Sequence, residues 1–225
     1  MPSIYGSTGD GYAASALVSS WVLARNSAGN TADNNNLRDP SASFIYVEAG
    51  RGGTLYGIRR SFMFFDTSSI SVAPSEATLK IRGFGYGTSN VIILRSTASD
   101  PISSSSFNDL YGVTDEFSNS DGAGAGSLSG ISGLEYATRT TSWDNSDYND
   151  LDLNSTALND MASLDDFKIC IMDWTYDFRD AAPSSTVQSG WYWTEAGSSP
   201  ELRPYIDYTA GVSVTDNATF FGCNF

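Results

Sequence analysis

The stretch Arg59–Ile81, RRSFMFFDTSSISVAPSEATLKI, decides the fold. Ser61–Phe65 is an apolar, aromatic run too short for a helix. Asp66 closes it, a Ser-rich polar link follows, and Ala77-Thr78-Leu79-Lys80-Ile81 alternates apolar with polar. Strand, surface connection, strand is the reading. Period-two alternation in this stretch and in the later strands predicts Phe62, Phe64, Leu79, Ile81, Ile169, Ile171 and Ile206 in the core. Arg59 and Arg60 are adjacent, so they point to opposite faces. At least one is expected to pair with an acidic loop residue and pin the edge of a β-sandwich.

Working outward, Tyr12–Ala24 meets helical spacing only in part, and Trp21 with two valines tips it toward strand. Asn26–Ser43 is polar and reads as a loop, Phe44–Val47 as a strand, Arg51-Gly52-Gly53 as a turn and Val91–Arg95 as a strand. Phe107–Leu110 suggests a helical turn, and Asp121–Gly133 is a glycine-rich excursion. Glu135–Thr141 reads as a strand. Leu151–Met161 reads as a strand end and a short helix, with Asn154 or Ser155 as its cap. Phe167–Trp174 is a buried strand, and Gly190–Thr194 and Pro204–Tyr208 are the last two.

The 225 residues can form one large β-domain or two small ones. A net charge of −14 excludes nucleic acid as a partner, because phosphate binding needs clustered Lys and Arg. No apolar span is long enough for a membrane-crossing helix, so no membrane association is expected. The start MPSIYGSTGDGYAAS lacks the basic end and apolar centre of a signal peptide. The expectation is release by cell lysis, as for virion parts. Cys170 sits in an apolar run and Cys223 near the C-terminus, and both read as free thiols.

There is no histidine, which removes Ser-His-Asp and Cys-His nucleophilic sites and His-ligated metals. Paired carboxylates remain, with Glu76, Asp173, Asp177 and Glu195 as candidates. A surface with 26 acidic residues offers many accidental pairs, so no catalytic residue is assigned. Asp144–Asp152 and Asp33–Asp39 have the composition of a structural calcium loop but not EF-hand spacing. They read as solvated turns, and no metal ligand or cofactor is assigned. In Trp191-Tyr192-Trp193 the tryptophans share one face, taken as core, and Tyr192 faces out. Trp174 and Tyr176 pose the same choice. Tyr192 and Tyr176 are the candidates for stacking on a glycan.

The elements fall in a familiar order. Asp10-Gly11 leads to Arg60-Ser61-Phe62-Met63-Phe64-Phe65-Asp66, then Ala77–Ile81, Trp143, Leu151-Asp152-Leu153 and Phe167–Met172. Glu195, Pro200-Glu201-Leu202 and Pro204-Tyr205-Ile206 close it. This resembles the module named for its DNRLRE motif, found in secreted bacterial proteins, carbohydrate-binding modules and phage structural proteins. The resemblance implies an all-β, antiparallel jelly-roll β-sandwich with long loops and one or two short helices. It implies a single domain over 1–208, its core at about 10–208, and a tail over 209–225. The chain departs from the family in lacking an export signal, in standing without an enzyme, and in its tail. That tail, DNATFFGCNF, is similar in character to C-termini of tailed-phage virion proteins.

The expectation is a non-enzymatic structural protein of a tailed bacteriophage virion, a capsid decoration (cement) protein. Its partners would be other virion proteins, the major capsid protein first, and further copies of itself. Phe220, Phe221 and Phe225 would dock on the neighbouring surface. The alternative is a carbohydrate-binding adhesin of a phage tail or a bacterial cell surface.

Overall fold

A computed structural model describes residues 1–34, 37–50, 52–113, 127–195 and 200–212, with only the backbone at 40, 41, 50 and 200. The strands are β1 (Ser3–Tyr5), β2 (Gly11–Ala14), β3 (Thr31–Asp33), β4 (Arg38–Gly50), β5 (Gly53–Asp66), β6 (Glu76–Gly87), β7 (Val91–Arg95), β8 (Tyr148–Asp152), β9 (Asp166–Asp173), β10 (Val187–Tyr192) and β11 (Tyr205–Thr209). The helices are α1 (Trp21–Arg25) and α2 (Ser155–Ser163). Every ladder is antiparallel, giving the expected sandwich.

One sheet runs β1-β11-β6-β8. In the other, β5 is flanked by β2 on one edge and by β4 and then β9 on the other, with β7 beyond β9 and β3 beyond β2. β6 belongs to both sheets, because its Gly83 and Gly87 pair with β10, and β10 with β4. Gly83 tolerates no side chain, since a Cβ there would lie 1.9 Å from the Asp144 carbonyl oxygen.

All seven residues assigned to the core are buried. They do not form one core, because β5 is covered on both faces. Met63 and Phe65 join Ile169, Ile171, Leu79, Ile81 and Ile206 between the sheets. Phe62 and Phe64 face the other way, with Cys170 and Met172, into a second layer closed by α1, Phe107, Leu110, Leu128 and Leu134. The aromatic run SFMFF is therefore continuous because both of its faces are dry.

Several local expectations are corrected. Tyr12–Ala24 is not one strand; it splits into β2 and α1. Trp21, Ala24 and Arg25 bury at helical spacing, and the Ser20 hydroxyl caps the turn. Asn26–Ser43 holds β3 and the start of β4, paired with β10 far along the chain. Glu135–Thr141 makes isolated bridges, Glu135 to Leu94 and Ala137 to Leu153, because it crosses between ladders. The helical turn at Phe107 runs over Ser104–Asn108. Asn154 is the cap of α2, accepting from the Ala157 N–H. Residues 121–126 of the glycine-rich excursion lie outside the described residues, while Leu128 beyond them is buried.

The two arginines part as expected. Arg59 pairs with Asp39 at the surface, and Arg60 is fully buried against Asp177. Arg60 Nε and Nη2 donate to the two Asp177 oxygens at 2.6 and 2.7 Å. Its other N–H groups donate to the Phe107 and Arg25 carbonyls and to Asn108 Oδ1. Asp177→Asn leaves a buried guanidinium without its counter-charge and should cost about 3–5 kcal/mol in urea unfolding. Phe64→Ala should cost a similar amount, about 3–5 kcal/mol. A loss below about 1 kcal/mol in either would contradict this account.

Candidate functional site

Strand register brings one set of aromatic residues together at the surface. Phe44 and Ala14 both lie opposite Arg59, Tyr46 lies opposite Gly57, and Tyr12 opposite Ser61. Side chains directly opposite across a ladder share a face, so Tyr12, Phe44, Tyr46 and Arg59 stand on one face across β2, β5 and β4. Gly57 contributes no side chain, and a Cβ there would come 2.7 Å from Leu17 Cδ2. The result is a cleft of about 260 Å³ lined by these residues with Ser15 and Thr31. Leu17 stands more than half exposed at its lip.

The guanidinium of Arg59 lies between two rings, 4.2 Å from the centre of Tyr12 and 5.4 Å from that of Phe44. Its Nη1 donates to Asp39 Oδ2 at 2.9 Å, which fixes its plane. The Phe44 and Tyr46 rings are 5.4 Å apart and tilted by 39°. Tyr46 Oη donates to Glu48, and this bond to a carboxylate raises its pKa. Burial raises that of Tyr12, with Arg59 opposing and Asp33 and Asp39 adding. Ring faces, a fixed guanidinium and an acidic rim can bind a ligand by stacking and hydrogen bonding.

The residues proposed for chemistry from the sequence lie elsewhere. Glu76 is exposed and accepts from Thr209 Oγ1. Asp173 is buried, accepting from Ser89 Oγ at 2.6 Å and from the Tyr176 N–H at 2.6 Å. Burial pushes its pKa up to about 6. Asp177 is consumed by Arg60. Glu195 faces Asp10, a partner the sequence did not indicate. Asp10 is fully buried and accepts twice from Thr194, and burial beside Glu195 raises its pKa well above the usual range. These carboxylates form no solvent-facing pair.

Trp191 and Trp193 are core, packed on each other and on Trp143, and Tyr192 is half-buried against Phe84 with Arg38 above both. Tyr176 is half-buried against the outer core layer. Neither tyrosine lines the cleft. In the acidic loops, Asp144 accepts from the Ser146 and Asp147 N–H groups, Asp147 pairs with Arg82, and Asp150 with Lys80. Asp39 pairs with Arg59, and residues 35 and 36 lie outside the described residues. Phe220, Phe221, Phe225 and Cys223 also lie outside them. Cys170 is a buried free thiol. The cleft residues carried no motif. The only local signal was the alternation of Phe44 with Tyr46 and an arginine in a strand.

No family model matches the chain, and no curated protein matches it.

The buried carboxyls predict a pH dependence. Asp10 and Asp173 hold their protons more tightly folded than unfolded, where an Asp titrates near about 3.9. Their contribution to stability is complete below that value and is lost as pH rises through about 6 for Asp173. Asp66 and Asp144 shift the other way but are fully exposed. Calorimetry should find the melting temperature falling between about pH 4 and 7, and Asp173→Asn, whose amide oxygen can still accept from the Tyr176 N–H while its amide nitrogen donates to Ser89 Oγ, should flatten that slope. A rising melting temperature, or an unchanged slope in the variant, would contradict the assignment.

Proposed function

We propose that this chain is a non-catalytic carbohydrate-binding β-sandwich whose ligand stacks in the cleft of Tyr12, Phe44, Tyr46 and Arg59. The observation that carries the reading is the guanidinium held between Tyr12 and Phe44 by Asp39, beside the gap left by Gly57. Aromatic faces match the C–H faces of a pyranose, and Arg59, Asp39 and Glu48 offer the donors and acceptors that hydroxyl groups need. Asp33, Asp39 and Glu48 make the rim acidic, which favours neutral or amino sugars over acidic ones. At about 260 Å³ the cleft suits one sugar ring, below the range of enclosed drug-sized sites, so affinity should be modest.

The docking role expected of Phe220, Phe221 and Phe225 in capsid decoration falls on residues outside the described ones. It stands as a proposal from the sequence, together with its virion partners and self-assembly. Glycan binding is the reading that the described surface supports better, and a particle-borne or cell-surface adhesin is compatible with it.

A glycan array followed by NMR titration with the best neutral hit tests this. The double change Phe44→Ala and Tyr46→Ala should weaken binding about tenfold or more while circular dichroism stays unchanged. Arg59→Gln should weaken it less. An array without hits, or affinity indifferent to these changes, would refute the reading.

A further inference from the structure

A second cleft carries a different chemistry. Trp174 opens a π-turn, Trp174–Phe178, directly after β9. Single π-turns are rare and concentrate at functional sites. This one is tied firmly. The Trp174 N–H donates to Asn90 O at 2.6 Å, the Tyr176 N–H to Asp173 Oδ1, and the Arg179 N–H to Trp174 O. Two guanidiniums converge on the half-buried indole, Arg139 Cζ 3.9 Å and Arg179 Cζ 5.2 Å from the ring centre.

In a chain of 26 acidic and 12 basic residues, a cation ordinarily finds a carboxylate. Arg25, Arg59, Arg60, Lys80, Arg82 and Arg95 do so. Among the described residues, Arg139 and Arg179 form no ion pair and no side-chain hydrogen bond. Arg38 and Lys168 are also outside the ion pairs, but only Arg139 and Arg179 share a ring. Ring quadrupole attraction holds each guanidinium, while their like charges repel. An anion between them would relieve that repulsion and use their planar N–H pairs. Trp174 and Arg139 border a cleft of about 500 Å³ with Thr138, Asn154, Glu135 and Asp152.

The geometry points to this cleft as a site for a carboxylated sugar of the uronate class. Its carboxylate pairs with Arg139 at the cleft wall, Arg179 adds its charge from the same indole, and the sugar ring lies against Trp174. Glu135 and Asp152 on the cleft wall oppose the anion, so its affinity should be modest. The site is separate from the Tyr12 cleft and does not rest on the reading given to it.

The test titrates the whole chain with tetragalacturonate, with neutral galactotetraose and with sodium sulfate, following indole fluorescence and heat at low and high salt. Tetragalacturonate should bind, more weakly at high salt, and the neutral oligosaccharide should bind about tenfold less tightly. Arg139→Gln and Arg179→Gln should each cost about tenfold, and Trp174→Phe less. Phe44→Ala with Tyr46→Ala should leave this binding intact, which separates failure here from failure of the first cleft. Absent binding, equal binding of the neutral sugar, or indifference to both arginine changes would overturn the site. Sulfate binding as tightly as the uronate would overturn the sugar assignment.

Discussion

The buried pair of Arg60 and Asp177 is the contact that the outer half of the molecule depends on. All five guanidinium N–H groups are used, on two carboxylate oxygens, two backbone carbonyls and one amide oxygen. These acceptors come from the π-turn, α1 and the 3-10 turn at Ser104–Asn108. One strand residue therefore gathers three segments that have little regular structure to hold them together. Arg25 repeats the arrangement, donating to the Asp177 carbonyl and lying 3.6 Å from Asp180. Burying such charges is unfavourable unless every donor is met. That requirement makes the pair selective, because no other packing of these segments would meet all five.

The consequence is a sheet with two dry faces. β5 alternates between layers, so the same five residues supply the inter-sheet core and the outer layer. Where the covering ends, toward Gly53, the β5 face opens, and the Tyr12, Phe44 and Arg59 cluster stands there. Register places the cleft as firmly as the core. A slip of one residue would turn Phe44 and Tyr46 inward and Ile45 out.

The sequence disclosed what short-range pattern can disclose. Alternation marked Phe62, Phe64, Leu79 and Ile81 as buried, and Asn154 announced α2 through its capping chemistry. It could not tell that Ile169 and Phe62 lie in different layers, because period two says which residues share a face and not whether the opposite face is covered. The start of β4 was missed because its polar residues owe their strand to β10, whose position no local signal reveals. Arg59 and Arg60 were read correctly as a structural pair, yet their acceptors depend on tertiary placement. The cleft was hidden for the same reason. Its aromatic residues come from strands whose alignment is a property of the whole sheet, while the residues that looked like a platform, Tyr176 and Tyr192, are half-buried against their neighbours.

The distribution of charge bears on which side chains hold a fixed place at the surface. Acidic residues outnumber basic ones by more than two to one, and among the described residues Arg25, Arg59, Arg60, Arg82 and Arg95 each pair with a carboxylate. Some buried acids are met by hydroxyls and N–H groups, as Asp173 is by Ser89 and Tyr176, and Asp177 is met by Arg60. Partly exposed rings that carry an arginine, among them Tyr12 with Phe44, Phe84 with Tyr192, Tyr111, Tyr148 and Trp174, stand at the surface with a defined geometry. Such surfaces recognise by stacking and hydrogen bonding. The glycan-binding proposal draws on such rings, as where Asp39 orients Arg59 beside Tyr12 and Phe44.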